Sequence, residues 1–226
     1  MNMNTLALLA AVPLCAGATL PVDVSFARGK WNESDFFYAK SWRWNYMRTF
    51  KQVDDAIVNV LPGPSAEDVF KKMNTEAYVA MLYRGRFPLG CTISSKTAWD
   101  WRMAPIVVIA DELGKSAAGA PEFREHWEVC LYDEGINVWY HYFENGEQKW
   151  YKVASLKLPK DGLFKANEIH DLVVQTGRNS RGVKELTVRC GGYRLTCVDD
   201  RLPDEFYAGV IGCEGRNWFY DFKVTR

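Results

Sequence analysis

Residues 126–154, HWEVCLYDEGINVWYHYFENGEQKWYKVA, decide the fold, because they predict three antiparallel strands joined by two short turns. Asn145-Gly146 is the dipeptide preferred by a type I′ hairpin turn, in which both central residues take a positive φ. A two-residue turn at this position sets the register of the second and third strands. The resulting cross-strand pairs are His141 with Trp150, Trp139 with Lys152, and Val138 with Val153.

A second turn is predicted at residues 133–135, Asp-Glu-Gly. We expect a loop of two or four residues there to place Glu128 opposite His141 and Cys130 opposite Trp139. A three-residue loop would mix apolar and polar side chains on one face of the sheet, so we reject it. The apolar face then carries Trp127, Val129, Leu131, Ile136, Val138, Tyr140, Tyr151 and Val153. The polar face carries His126, Glu128, Asn137, Trp139, His141, Trp150 and Lys152.

Composition limits the class of protein and of ligand. The chain has 226 residues, of which 48% are hydrophobic, so it can bury a large core and is not globally disordered. It has 28 basic and 28 acidic residues, and this balance provides no basic surface for nucleic acid or for an anionic membrane. Neutral or only locally charged ligands suit it better.

The N-terminus predicts export. An apolar run over residues 6–14 is followed by Ala16-Gly17-Ala18, which matches the small-residue cleavage site of a secretory signal. We therefore predict a signal peptide over residues 1–18, a single domain over residues 19–226, and a secreted, periplasmic or cell-surface protein. The alternative is a buried N-terminal segment, favoured by the lack of a basic residue before the run. The run is too short to span a membrane.

The rest of the chain predicts short strands separated by turn residues, with one helical turn over Ser65–Met73. About fifteen strands and at most one or two short helices predict an all-β fold, a two-sheet antiparallel β-sandwich. One predicted strand, Trp42–Lys51, would bury the indoles of Trp42 and Trp44. Residues 111–121 are expected to form a surface loop.

The cysteines predict neither a metal centre nor a disulfide framework. Cys91, Cys130, Cys190, Cys197 and Cys213 follow the N-terminal segment, and no Cys/His spacing indicates zinc. A two-residue turn at Gly191-Gly192 would pair Cys190 with Tyr193 rather than with Cys197. We expect isolated buried thiols.

Residues 168–224 contain a strand after Glu168-Ile169-His170, a hairpin about Gly191-Gly192, the segment Gly209-Val-Ile-Gly212, and a final strand Tyr-Asp-Phe-Lys-Val. This C-terminal part resembles the concanavalin A-like lectin/glucanase superfamily, and more distantly small exported jelly-roll proteins associated with bacterial polysaccharide use. The resemblance implies a jelly roll with a carbohydrate site on a concave sheet, lined here by the polar face described above. It also allows a structural calcium ion, and we predict no other cofactor and no metal ligands.

Two residues of the polar face have the chemistry of a catalytic pair. A carboxylate beside an imidazole orients the ring and raises its pKa, so Glu128 and His141 are the predicted acid/base residues. The alternative is a structural hydrogen-bonded pair on an exposed sheet. The indoles suit stacking on sugar rings, unless the loop over residues 111–121 covers them. The predicted substrate-binding residues are His126, Asn137, Trp139, Trp150 and Lys152.

The activity stays open, because the catalytic signature of retaining glucanases in this superfamily, Glu-x-Asp-x-x-Glu, is absent. The predicted function is to bind and cleave a poly- or oligosaccharide, as a glycoside hydrolase or a polysaccharide lyase. The alternative is a non-catalytic, lectin-like glycan-binding module. The sequence predicts a carbohydrate ligand but no oligomeric state.

Overall fold

The structure is a computed structural model that describes residues 17–59, 78–100 and 104–226. The helical turn predicted over Ser65–Met73 lies outside these residues, as does nearly all of the predicted signal peptide, so both stay predictions. Among the described residues, the longest helical element is a single 3-10 turn, Glu33–Asp35. None of the described helical segments is long and apolar enough to cross a membrane.

Two large antiparallel sheets form a sandwich, which confirms the predicted all-β class. The nine-stranded sheet contains β1 (Val22–Ser25), β3 (Phe50–Val53), β4 (Ala56–Asn59), β7 (Thr92–Trp99), β14 (His170–Arg178), β15 (Lys184–Cys190), β16 (Tyr193–Val198), β18 (Asn217–Phe219) and β19 (Asp221–Thr225). Its main path runs in the order β16-β15-β14-β7-β18-β4-β3, and β19 joins β1 to β7.

The eight-stranded sheet carries the residues of the predicted site. It contains β2 (Phe36–Ala39), β5 (Val79–Tyr83), β6 (Phe87–Pro88), β8 (Pro105–Ala110), β11 (His126–Tyr132), β12 (Gly135–Glu144), β13 (Glu147–Lys157) and β17 (Glu205–Gly212). Its main path runs in the order β13-β12-β11-β8-β17-β5-β2, and β6 pairs with β17. The remaining two strands, β9 (Leu113–Lys115) and β10 (Pro121–Phe123), form a separate hairpin. The surface loop expected over residues 111–121 is therefore largely a hairpin.

The main core lies between the two sheets and takes the apolar residues of alternate positions on each strand. On β11 these are Trp127, Val129 and Leu131, and on β12 they are Ile136, Val138 and Tyr140, as the sequence predicts. The five described cysteines, at positions 91, 130, 190, 197 and 213, are all free thiols. Cys190 pairs with Tyr193 across the β15–β16 turn, again as predicted.

The eight-stranded sheet has a second apolar cluster, which we call the outer cluster, on the face that points away from the nine-stranded sheet. It is built from the positions of β5, β8, β11 and β17 that alternate with the main core. Connecting segments cover it, and Phe123, Leu113 and Trp44 pack there. The predicted polar face therefore lies beside a covered apolar region rather than on a fully solvated sheet.

The segment after β2 explains part of this covering. The predicted strand Trp42–Lys51 is wrong over most of its length, because the chain leaves the sheet after Ala39 and re-enters a sheet only at Phe50. The intervening segment places Trp44 against the outer cluster. Trp42 is 42% exposed, so the expectation that its indole is buried is also wrong.

Candidate functional site

The β11–β12–β13 meander forms as predicted, with one change of register at the β11–β12 turn and another at a bulge between β12 and β13. Asn145 and Gly146 have φ values of 53° and 82°, which confirms the positive-φ turn. His141 pairs with Trp150 and Trp139 with Lys152, also as predicted. Beyond Trp139 a β-bulge shifts the register, so that Val138 pairs with Ala154 and the predicted pairing with Val153 is wrong.

The prediction that Glu128 lies directly opposite His141 is wrong, because the register of β11 against β12 differs from the predicted one by two residues. The turn has two central residues, Asp133 and Glu134, and Tyr132 pairs with Gly135 across it. His126 therefore lies opposite His141, and Glu128 lies opposite Trp139. Cys130 consequently pairs with Asn137 rather than with Trp139. A shift of two residues leaves every side chain on its predicted face, because side chains alternate with a period of two.

Glu128 still meets His141, through a diagonal contact. His141 Nε2 lies 3.3 Å from Glu128 Oε2, and His126 Nε2 lies 3.5 Å from Glu128 Oε1. The hydroxyl of Tyr78 donates a hydrogen bond of 3.1 Å to Glu128 Oε1. One carboxylate therefore faces two imidazoles and a phenol. We call His126, Glu128 and His141 the His–Glu–His cluster.

Four flat rings stand in a row through this cluster. Phe123 from β10 stacks on His126, with ring centroids 4.4 Å apart and an interplanar angle of 25°. His126 stacks on His141 at 4.4 Å and 11°, and His141 faces Trp150 at 6.3 Å and 23°. The row begins at a fully buried phenylalanine and ends at an indole that is 53% exposed.

The cluster is buried, unlike the exposed pair considered from the sequence. His126, Glu128 and His141 are all less than 5% exposed. Burial alone would raise the pKa of Glu128, but the His141 and His126 imidazoles outweigh it and hold that pKa well below its usual range. Burial lowers the pKa of His126, and Glu128 only partly opposes the shift. Burial, together with the Glu128 carboxylate, raises the pKa of Tyr78 well above its ordinary value.

Two ring nitrogens of the cluster lack a hydrogen-bond partner among the described residues: His126 Nε2 and His141 Nδ1. Buried polar atoms are normally paired, so such atoms need an explanation. One nitrogen from each histidine and one carboxylate oxygen lie within 4.8 Å of one another, which is compatible with a shared metal ion. The donor set of two imidazoles and one carboxylate is typical of transition metals.

A cavity of about 290 Å³ lies beside the cluster. Five of the predicted site residues line it: Glu128, Asn137, Trp139, His141 and Trp150. The structure therefore brings both halves of the predicted acid/base pair to one wall, together with the two predicted stacking residues. His126 lies behind this wall, within the row of rings.

The remaining predicted site residues have local partners. Asn137 accepts a hydrogen bond of 2.7 Å from Ser155 through its side-chain oxygen. The ammonium of Lys152 lies 5.3 Å from the ring centroid of Trp139. Trp139 itself is partly buried against the outer cluster, as in the covered alternative, whereas Trp150 is exposed.

Sequence reasoning missed Tyr78, and it indicates Arg43 only as a candidate partner for the carboxylate of a uronate, with an ordinary solvated arginine as the alternative. Tyr78 lies just before β5, far from the meander in sequence, and no local pattern connects it to Glu128. Arg43 lines the cavity, and its guanidinium lies 5.9 Å from the ring centroid of Trp150 and 5.7 Å from that of Trp44. The i, i+2 spacing of Trp42 and Trp44 predicts a strand with Arg43 on the opposite face, whereas Arg43 lies in the segment that connects β2 to β3.

The segment that carries Cys213 and Glu214, two further lining residues, is held by a pair of buried asparagines. The side-chain oxygen of Asn217 accepts from the backbone N–H of Cys213 at 2.9 Å. The side-chain oxygen of Asn59 in turn accepts from the backbone N–H of Asn217 at 2.6 Å. This wall of the cavity is therefore fixed by hydrogen bonds to the nine-stranded sheet, since Asn59 ends β4 and Asn217 begins β18.

Solved structures share this architecture at low sequence identity. The carbohydrate-binding module CBM66 from Bacillus subtilis matches with a TM-score of 0.55 and 11% identity, over 85% of this chain and 96% of that one. The exoplasmic/lumenal domain of VIP36, in its Ca²⁺- and Man2-bound form, matches with a TM-score of 0.52 and 11% identity, over 91% and 86%. The chain has a concanavalin A-like jelly-roll fold.

A third similar structure, the carbohydrate recognition domain of Emp47p, matches with a TM-score of 0.52 and 8% identity, over 90% of this chain and 94% of that one. No protein-family model and no curated protein matches the sequence. At these identities the likeness concerns the jelly roll, and the function has to be argued from the site.

Proposed function

We propose that this protein binds a poly- or oligosaccharide in the cavity beside the His–Glu–His cluster and cleaves it there. One observation supports the proposal most directly: Glu128 and His141, which are in contact, and the exposed indole of Trp150 all line the same cavity. Binding sites typically combine an apolar lining with a few convergent polar groups. The jelly-roll fold agrees with this proposal, since carbohydrate-binding structures share it.

In the proposed reaction, His141 carries the proton and Glu128 holds the imidazole. The carboxylate lies 3.3 Å from His141 Nε2 and fixes the orientation of the ring. In hydrolysis, the imidazolium gives its proton to the glycosidic oxygen as the glycosidic bond breaks. Water adds to the anomeric carbon, and the neutral ring takes the proton that this water releases. In β-elimination on a uronide, the neutral ring takes the proton from the carbon next to the carboxyl group and a C=C bond forms. The glycosidic oxygen leaves with the proton that the ring then returns to it. Both chemistries use the same pair, so the products must distinguish them.

Trp150 supplies the proposed stacking surface. Its indole is exposed at the cavity. The guanidinium of Arg43 lies 5.9 Å from its ring centroid, and the centroid of the His141 ring lies 6.3 Å from it. A flat aromatic face suits the C–H face of a sugar ring, and the neighbouring cation offers hydrogen bonds to hydroxyl or carboxylate oxygens. The exposed Trp42, whose ring lies 4.9 Å from that of Phe143, extends the aromatic surface.

The deciding experiment is a panel of neutral and acidic polysaccharides incubated with the full chain. Reducing-end release would identify hydrolysis, and release together with ultraviolet absorbance of an unsaturated uronide would identify β-elimination. Affinity electrophoresis on the same panel measures binding. Binding without any product would support the lectin-like alternative, and neither binding nor product would contradict the proposal.

Replacing Trp150 by alanine is expected to weaken glycan binding by about two- to twelvefold, because a stacked aromatic contact contributes about 0.5–1.5 kcal/mol. Isothermal titration with the best ligand of the panel measures the change. The matched control is Trp218→Ala, which removes a partly exposed indole from β18 in the other sheet. Equal weakening in both variants would place the ligand elsewhere.

A further inference from the structure

The His–Glu–His cluster offers more lone pairs than its surroundings satisfy. Two of its buried ring nitrogens, His126 Nε2 and His141 Nδ1, lack a hydrogen-bond partner among the described residues, and both residues are less than 3% exposed. We propose that this cluster is a binding site for one divalent transition-metal ion, with Zn²⁺ as the ion that fits its donor set. This inference goes beyond the proposed function and does not depend on a glycan.

The separations of the donor atoms match a tetrahedral site. Zinc bonds of about 2.0–2.1 Å to nitrogen and oxygen place neighbouring ligand atoms about 3.3 Å apart in a tetrahedron. Glu128 Oε2 lies 3.3 Å from His141 Nε2, and Glu128 Oε1 lies 3.5 Å from His126 Nε2. These separations end on the two different oxygens of the carboxylate, which lies between the rings. With one carboxylate oxygen as the ligand, the three donor atoms lie within 4.8 Å of one another.

The surroundings of His126 favour a metal-ligating tautomer. Its Nδ1 lies 3.4 Å from the backbone carbonyl oxygen of Arg124, which is placed to accept a hydrogen bond from that nitrogen. A ring that donates from Nδ1 keeps a lone pair on Nε2, and metal-bound histidines commonly have such a carbonyl partner. The Nε2 lone pair then faces a carboxylate oxygen, so two acceptors oppose each other. A cation between them removes this conflict.

The donor types select the class of ion. Calcium and magnesium prefer sites composed of oxygen ligands, whereas imidazole nitrogens suit zinc, copper and nickel. Two nitrogens and one carboxylate also leave a fourth position. Glu128 and His141 line the cavity, so that position is expected to face it and to provide the path of entry.

The stacked rings set one requirement for binding. The imidazoles are 11° from parallel, with centroids 4.4 Å apart, so their nitrogens do not converge fully on one point. Sharing an ion requires one ring to tilt. His141 is the ring that lines the cavity, and we expect the adjustment there rather than at His126, which lies between Phe123 and His141.

The chain contains three histidines, and the one outside the cluster serves as a control for metal binding. The third, His170, donates a 2.9 Å hydrogen bond from Nε2 to the carbonyl oxygen of Lys165 and stacks on Trp99, away from the cluster. A hydrogen bond to a carbonyl oxygen requires His170 Nε2 to be the donor, so this nitrogen is not a free metal ligand.

The test uses the full chain without a polyhistidine tag, stripped with chelator and titrated with Zn²⁺ in a calorimeter. We expect one ion per chain, at least tenfold weaker binding in His126→Gln and His141→Gln, and unchanged binding in His170→Gln. Co²⁺ should give the visible absorption of a tetrahedral nitrogen/oxygen site in the wild type. Absence of binding, or equal binding in all variants, would overturn the proposal.

A variant that fails to fold leaves the proposal testable in the wild type. Anomalous scattering at the zinc edge, from crystals soaked in Zn²⁺, locates the ion directly. A peak between His126, Glu128 and His141 supports the proposal, and a peak at Cys130 or Cys213 of the cavity wall overturns it. Thermal unfolding of each variant in chelator shows which variants are folded enough to interpret.

A second consequence rests on the proposed function. An ion on the cluster would occupy the carboxylate and the imidazole that cleavage is proposed to use, so added Zn²⁺ is expected to inhibit product release. Activity that requires Zn²⁺ would overturn the acid/base assignment while leaving the metal site intact. Calorimetry without glycan and product assays with chelator therefore separate the two proposals.

Discussion

Replacing His141 by alanine is expected to lower the turnover of a cleaved glycan by about 10²–10⁴-fold, the usual contribution of a general acid or base. The imidazole is the one group of the cluster that both lines the cavity and contacts the buried carboxylate at 3.3 Å. Glu128→Gln should reduce turnover as well, because an amide keeps the shape of the side chain but no longer attracts the protonated ring. Initial rates of product release measure both effects.

Because both residues are buried, the fold of each variant must be checked by circular dichroism and thermal unfolding. His141→Gln is the more conservative replacement if His141→Ala is unstable, and it should be equally inactive. His170→Gln is the matched control and should keep its activity. Full turnover in folded variants of both His141 and Glu128 would eliminate the pair as the catalytic groups.

The largest effect on stability is expected at Gly209, in the middle of β17. This strand lies between β5 and β8, and a Cβ at Gly209 would overlap the carbonyl oxygen of Met81 and lie 2.7 Å from the Cα of Leu82. Both of these are backbone atoms of β5, which cannot move aside as a flexible side chain can. Gly209→Ala should therefore lower the free energy of unfolding by about 3 kcal/mol.

For a chain of this size, such a loss corresponds to a decrease in melting temperature of about 6–12 °C. The matched control is Gly177→Ala in β14, where an added Cβ has no described heavy atom within 4 Å. That change should alter stability by no more than about 1 kcal/mol, because it mainly removes freedom from the unfolded chain. Similar melting temperatures for the two variants would contradict the close approach of β17 to β5.

The sequence predicts the meander well because its information is local. Asn145-Gly146 specifies the turn, and the alternation of side chains specifies which face each residue occupies. The bulge between Val138 and Trp139 was not predictable, since no glycine or turn residue marks it and the extra residue of β13, Val153, is an ordinary strand residue. The register of β11 against β12 also differs from the predicted one by two residues, and every side chain stays on its predicted face.

The burial of the cluster was not predictable, because its neighbours come from distant parts of the chain. Tyr78 reaches Glu128 across 50 residues of sequence, and Phe123 belongs to a hairpin expected to be a loop. A pattern of alternating residues indicates which side chains share a face, but it does not indicate what covers that face. For this reason the pair that the sequence places on an accessible polar face is a buried cluster beside a cavity.

The outer cluster is separate from the core between the sheets, so the segments that cover it can change in sequence without changing that core. The cavity is bounded partly by connecting segments, such as the one that carries Arg43 and Trp44, and these do not contribute to the core between the sheets. Insertions or substitutions in such segments are tolerated far better than changes in packed strands. Related chains could therefore acquire different ligand preferences by replacing these covers, while the sandwich beneath them and its folding remain the same.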